Sequence, residues 1–172
     1  MNHLTDRVVI LPFALGAESK AGFIQVEGNL ETGEGTGTAN VLPEDSTYDC
    51  VRQPVHVETL DELASRGLVP RGCSVVKIDT DGYDLKVLQG ATEFLMRERP
   101  IIFGEFSAEC LGWHGQSLDD VAAFARDHGY EAWMRARPGW KFSTSPGASR
   151  FEQDVLLAPE EAIGRLRHLL AA

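Results

Sequence analysis

The stretch SVVKIDTDGYDLKVLQGATEF, residues 74–94, constrains the fold of this chain more than any other. An apolar run ends in Lys77, Ile78 and Asp79. A polar turn follows through Asp81 and Gly82, and then Leu85, Leu88, Ala91 and Leu95 return at helical spacing. That order predicts a buried strand, a tight turn and a helix, the repeating unit of open α/β sheets. Ligands of such sheets bind beyond the carboxyl ends of the strands. Asp79 and Asp81 therefore stand where chemistry is expected.

The alternation continues along the chain. Strand-like segments fall at 7–15, 74–78, 100–106, 131–135 and 154–157. The second and third are nearly continuous apolar runs, as strands covered on both faces should be. Between them, Thr59 and Glu62 have the spacing of a capping box, with Gly67 as the stop. Ser117 and Asp120 open another helix, whose inner face is Leu118, Val121, Ala122 and Ala125 and which Gly129 closes. A last helix spans 159–170, with Ile163, Leu166 and Leu170 inward. Such alternation predicts an α/β fold with a mostly parallel sheet. The Gly- and Thr-rich segment at about 23–57 reads as a hairpin-like excursion. A chain of 172 residues is sized for one domain, 1–172.

Charge and composition remove several function classes. A net charge of −10 opposes the phosphate backbone, so nucleic acid is not expected as a partner. No apolar run approaches the roughly 20 residues of a membrane span. No basic start precedes an apolar signal core, so a cytoplasmic home away from membranes is expected. Cys50, Cys73 and Cys110 are odd in number and far apart. That spacing argues against a disulfide framework and a zinc site, and no metal is expected.

Three segments in order, VETLDEL (57–63), VVKIDTDGYDLKVLQGA (75–91) and RPIIFGEFS (99–107), resemble the signature run of the FkbM-type S-adenosylmethionine-dependent methyltransferases. RVVILPFALGAESKAGF (7–23) is similar to the stretch before that run, and EQDVLLAP (152–159) to the family's last strand. The resemblance implies a Rossmann-like class I methyltransferase sheet. It implies methyl transfer from S-adenosylmethionine to a hydroxyl of a small molecule such as a sugar or polyketide. It also implies catalysis by Asp79 and Glu105, a cofactor against Ala14, Leu15 and Asp79, and a substrate near Asp81, Trp113 and His114.

The family opens with a strand, a glycine-rich turn, a helix and a second strand ending in an acid, and Met1 falls after all of these. The expectation is a partial domain whose sheet lacks its first two strands and the cofactor loop. Its bare edges would invite self-association or a complementing N-terminal chain. The alternative is a non-catalytic remnant, or half of a split enzyme. LETGEGTG (30–37) looks like a glycine-rich cofactor turn, but it has neither a buried strand before it nor a helix after it, so it reads as a hairpin turn. The DTDG turn also resembles that of haloacid-dehalogenase-like phosphatases, with Asp79 and Asp81 as nucleophile and acid. Those enzymes place Thr where this chain has Tyr83.

Each site residue also has a plainer reading. Asp79 at a strand end could cap the next helix, and Asp81 and Asp84 could be first-turn acids favouring a helix N-terminus. Lys77 reads as an ion-pair partner rather than a base. Glu105 is costly to bury unpaired, so it belongs either to the site or to Lys77. Trp113 and His114 lie in CLGWHGQ, beyond a strand end, where loops build pockets; simple loop packing is the other reading.

Overall fold

The computed structural model describes residues 7–26, 39–41, 51–135, 140–142 and 153–170. Two sheets organise them. The first has the order β1-β4-β2-β3, with β1 (Ala14–Leu15), β2 (Lys20–Val26), β3 (Ala39–Val41) and β4 (Val51–Glu58). β1 runs parallel to β4, whereas β2 is antiparallel to both β3 and β4. The excursion expected at 23–57 is thus the antiparallel body of this sheet.

The strand expected over 7–15 is reduced to Ala14–Leu15. Pro12 interrupts it, since it offers no N–H to a ladder. The Phe13 N–H donates to the Leu11 carbonyl at 2.9 Å and closes a three-residue turn around the proline. Val8, Val9 and Ile10 are left exposed.

The second sheet has the order β5-β6-β9-β7-β8. Its strands are β5 (Val75–Ile78), β6 (Ile101–Phe106), β7 (Tyr130–Arg135), β8 (Trp140–Phe142) and β9 (Gln153–Pro159). The expectation of a mostly parallel sheet is corrected here. Only β5 and β6 are parallel, and β9 enters antiparallel between β6 and β7. Parallel neighbours need a crossover, usually helical, whereas antiparallel ones can follow each other directly. The chain passes from β7 through β8 to β9 with no helix among the described residues between them.

The helices are α1 (Leu60–Ser65), α2 (Asp84–Gln89), α3 (Thr92–Glu98), α4 (Ala108–Trp113), α5 (Leu118–Asp127) and α6 (Ile163–Leu170). At α1 the Thr59 hydroxyl accepts the Glu62 N–H at 3.1 Å, and the Glu62 carboxylate reaches Ser19. At α5 the capping box is reciprocal, and Leu118, Val121, Ala122 and Ala125 are all buried. The last helix begins at Ile163 rather than 159, because β9 continues through Pro159 into a 3-10 turn over Glu160–Ala162. Ile163 is buried and Leu166 packs on it. The side chain of Leu170 lies outside the described residues.

One buried cluster joins the layers. Ile78, Ile102, Phe106, Val155 and Leu157 from the second sheet meet Leu85, Leu88, Phe94, Leu111 and Val121 from the helices. Arg99 fastens the far side. Its guanidinium donates to the His128 and Gly129 carbonyls at 2.8 and 2.7 Å, lies over the Tyr130 ring, and pairs with both Glu161 oxygens at 2.8 and 2.9 Å. That guanidinium holds the Glu161 carboxyl down at about 2. No helix among the described residues is long and apolar enough to cross a membrane.

The helical spacing from Leu85 to Leu95 predicts one helix, yet α2 and α3 are separate. The break is at Gly90 and Ala91, where the helices meet the first sheet. A Cβ on Gly90 would stand 1.9 Å from the Gly16 carbonyl oxygen. The chain turns there to let two backbones touch.

Candidate functional site

Gly16 follows β1 and Tyr83 follows β5, and the two are in contact: a Cβ on Gly16 would stand 2.9 Å from the Tyr83 ring. The carboxyl ends of strands from different sheets therefore converge. Between them lies a cavity of about 420 Å3. Ala14 and Leu15 line one side, and Lys77, Ile78, Asp79, Thr80 and Tyr83 line the other, with Leu60 and Val87 among the apolar walls. The structure thus brings together Ala14, Leu15 and Asp79, the three residues that the resemblance implied for the cofactor.

The turn after β5 owes its shape to Asp84, which is fully buried. Its carboxylate accepts the Thr80 N–H at 3.1 Å, the Thr80 hydroxyl at 2.9 Å and the Gly82 N–H at 2.9 Å. These bonds hold Asp81 and Gly82 at positive φ, +48° and +100°, a region Gly adopts freely and Asp tolerates. A side chain at Gly82 would also meet the Cys110 backbone at 2.5 Å. The plainer reading of Asp79, a cap on the next helix, is not what is found. α2 has no side-chain cap bond at its N-terminus, and the turn before it is held by Asp84. Asp84 is therefore more than a first-turn acid.

Asp79 is half-exposed and ion-paired with Lys77. The hydrogen bond to Asp79, its charge and that of Glu105 hold the Lys77 ammonium above its ordinary pKa, against an opposing effect of burial. Lys77 is an ion-pair partner, as the sequence suggested, and its main partner is Asp79. Glu105 stands on β6, two residues beyond Phe103, which pairs with Lys77. It shares the Lys77 face and is exposed, but it does not line the cavity.

His114 packs edge-on to Tyr83, with ring centroids 5.0 Å apart. Burial, helped by the Lys86 charge, pushes its imidazole below the usual value of 6.5, against an opposing pull from Asp84. It is one ring removed from the cavity wall. Trp113 ends α4 and is exposed. CLGWHGQ is largely this helix rather than a loop, and Ser107 caps it by accepting the Cys110 N–H at 3.3 Å. A Ser immediately before AECLGW is the signal that could have found it.

Thr80 and Tyr83 line the cavity and were not singled out from the sequence. Nor was Asp61, which caps α3 from a distant helix. Among the described residues no three His, Cys, Asp or Glu side chains group closely enough to hold a metal ion. LETGEGTG, Cys50 and the Pro138–Gly139 turn lie outside the described residues.

A family model for the methyltransferase FkbM domain matches residues 3–132. The chain belongs to the FkbM methyltransferase domain family. The match takes in every candidate residue above, so the DTDG turn is a feature of this domain rather than of a haloacid-dehalogenase-like phosphatase. EQDVLLAP lies beyond its end. No curated protein and no solved structure matches the chain. What the FkbM match adds to the geometry is a reaction class, methyl transfer.

Proposed function

We propose that this FkbM domain transfers a methyl group from S-adenosylmethionine to a hydroxyl of a small molecule, at the converging carboxyl ends of β1 and β5. One observation carries the reading. Within the family's matched region, Leu15 and Asp79 stand on one cavity with an apolar wall and a single carboxylate. These are features that fit an adenosine: Leu15 and the Tyr83 and Val87 side chains can flank a purine, and the Asp79 carboxylate can accept hydrogen bonds from the ribose hydroxyls. When bound, the cofactor supplies a methyl group made electrophilic by a sulfonium.

The protein's own work is alignment. Asp84 fixes the turn, so Asp79 leaves the strand in one direction. Lys77 orients the Asp79 carboxylate through their ion pair. Asp79 lines the cavity whereas Glu105 does not, so Asp79 is the better placed of the two to take the acceptor's hydroxyl proton, directly or through water. His114 packs against Tyr83, outside the cavity lining, and with its neighbour Trp113 and with Asp81 of the turn would face the acceptor.

Calorimetric titration with S-adenosylmethionine tests this. Saturable binding is expected, competed by the demethylated cofactor and weakened about tenfold by Asp79→Ala, the loss of a hydrogen bond to a charged group. Absence of saturable binding, or binding indifferent to Asp79, would sink the assignment.

A further inference from the structure

Two carboxylates are buried among the described residues, Asp84 and Glu58. Asp84 holds the turn after β5, whereas Glu58 does not line the cavity. It ends β4 at 7% exposure, where an acid is costly unless it is paired. Its two oxygens divide the donors. One accepts the Ser19 hydroxyl at 2.8 Å, which the Glu62 carboxylate also reaches from α1. The other accepts the Arg66 guanidinium at 3.1 Å and lies 3.2 Å from the His56 Nε2. The Ser19 bond, with Glu62, Arg66 and His56 adding to it, keeps the Glu58 carboxyl below its ordinary pKa against an opposing effect of burial.

Both sides of this carboxylate lead to the cavity wall. β1 pairs with β4 at two positions, Ala14 with Val57 and Leu15 with Glu58. Just past β1, the Gly16 N–H donates to the Glu58 carbonyl at 3.0 Å. Further along the same loop, Ser19 is bound by the Glu58 side chain. Glu58 thus holds this loop by backbone and side chain at once, and Gly16 within it is the residue that abuts Tyr83 and Gly90. Before β1, the His56 ring that meets Glu58 also stands edge-on to Phe13, with centroids 6.2 Å apart. Phe13, Ala14 and Leu15 are the cavity wall on this side.

We propose that Glu58 is a positioning residue for the cofactor: through Ser19 and His56 it holds the wall formed by Phe13, Ala14 and Leu15 at the separation from Asp79 that cofactor binding needs. The inference rests on the reading of this cavity as a cofactor site. Glu58 acts on the cofactor only through its neighbours. A bond to an ionised acceptor is about twice as strong as one between neutral groups, which suits a tie that must fix a strand of two residues. Groups that support a site from behind decide how precisely its walls are held.

Ser19 gives the sharpest test, because it is exposed and Glu58 keeps Arg66 and His56 without it. Ser19→Ala should leave the melting temperature nearly unchanged. In calorimetric titration it should weaken S-adenosylmethionine binding on the order of fivefold, the scale on which residues that touch no ligand modulate a site. Ser19→Thr, which restores the hydroxyl, should recover most of that loss. Amide hydrogen exchange of the cofactor-free chain should be faster at Gly16 in Ser19→Ala than in the wild type. Glu58→Gln, whose amide oxygen can still accept the Ser19 hydroxyl, should bind the cofactor better than Glu58→Ala. Wild-type affinity in Ser19→Ala, a loss that Ser19→Thr does not recover, or an unchanged Gly16 amide would each overturn the proposal while leaving the cofactor reading in place. A wild type that binds no cofactor is a different failure: it removes the cofactor from the cavity, and this role of Glu58 with it.

Discussion

Asp61 closes the N-terminus of the helix that contains Phe94, by accepting the Phe94 N–H at 2.7 Å and the Glu93 N–H at 3.0 Å. The two residues lie in different helices, α1 and α3. The Asp61 N–H in turn donates to the Gly90 carbonyl at 3.0 Å. The Leu-Asp pair that opens α1 is therefore a clamp between the two halves of the FkbM match. Side-chain capping of free helical N–H groups is worth about 1 kcal/mol, within a range of roughly 0.5–2. Asp61→Ala should cost about that much in urea denaturation, and Asp61→Asn less, because the amide oxygen can still accept one bond. Equal losses for both would mean that the charge matters and the cap does not.

Asp84 and Asp79 should respond in opposite ways to removal of their charge. Asp84 is buried with three donors aimed at it, so Asp84→Ala strands two backbone N–H groups inside the protein. Each such group costs about 1–3 kcal/mol, and a loss on the order of 3 kcal/mol or more is expected. Among the described residues Asp79 pairs with the exposed Lys77, and exposed pairs contribute little. Asp79→Asn should leave the unfolding midpoint almost unchanged while lowering methyl transfer per folded molecule. If Asp79→Asn proves as destabilising as Asp84→Ala, Asp79 is structural and leaves the candidate site.

The contrast shows which parts of this protein are legible in its sequence. β5 and β6 are legible because they are nearly continuous apolar runs. β5, with Val75 and Lys77 exposed, is nevertheless not covered on both faces as that pattern predicts. α5 is legible because its cap and its inner face agree. Local pattern alone is enough to put Asp79 at a strand end. Asp84 shows only as an acid near a helix start, since its three bonds depend on a turn geometry that no spacing encodes. The break at Gly90 is hidden for another reason: α2 and α3 keep one apolar face, and only the approach of Gly16 from the other sheet separates them. The strand expected over 7–15 fails at Pro12, a breaker visible in the sequence that outweighs the apolar run around it.

His114 predicts a pH response. Its folded pKa is depressed below 6.5 by burial beside Tyr83 and by Lys86, so the unfolded chain binds a proton that the folded one refuses. Stability then rises with pH where the unfolded state holds more protons. This contribution is complete above the unfolded value and is lost as pH falls from about 6.5 toward the folded pKa. Denaturation midpoints measured between about pH 8 and about pH 5.5 should decline for the wild type and decline less for His114→Gln. A steeper decline in the variant would show that His114 is charged in the folded protein, which would contradict its packing against the Tyr83 ring.

Two glycines make opposite forecasts for the same substitution. Gly112 lies inside α4, and a Cβ placed there would meet nothing within 4 Å. Gly112→Ala should stabilise the protein by about 0.5–1 kcal/mol, the difference in helix preference. Gly90 has φ −85° and could accept Ala on backbone grounds alone, which would predict a similar gain. Against that gain stands the Gly16 carbonyl, 1.9 Å from where the new carbon would sit. A carbonyl held in backbone cannot swing aside as a side chain can, and overpacking of this kind costs about 1–3 kcal/mol or more. The clash should win, so Gly90→Ala should lower the melting temperature while Gly112→Ala raises it. Because Gly90 abuts the residue after β1, its substitution should also push β1 away from Tyr83 and weaken cofactor binding, where Gly112→Ala leaves binding intact. A Gly90→Ala protein as stable as the wild type would mean that the two sheets are not pressed together at this point, and the converging strand ends that define the cavity would lose their support.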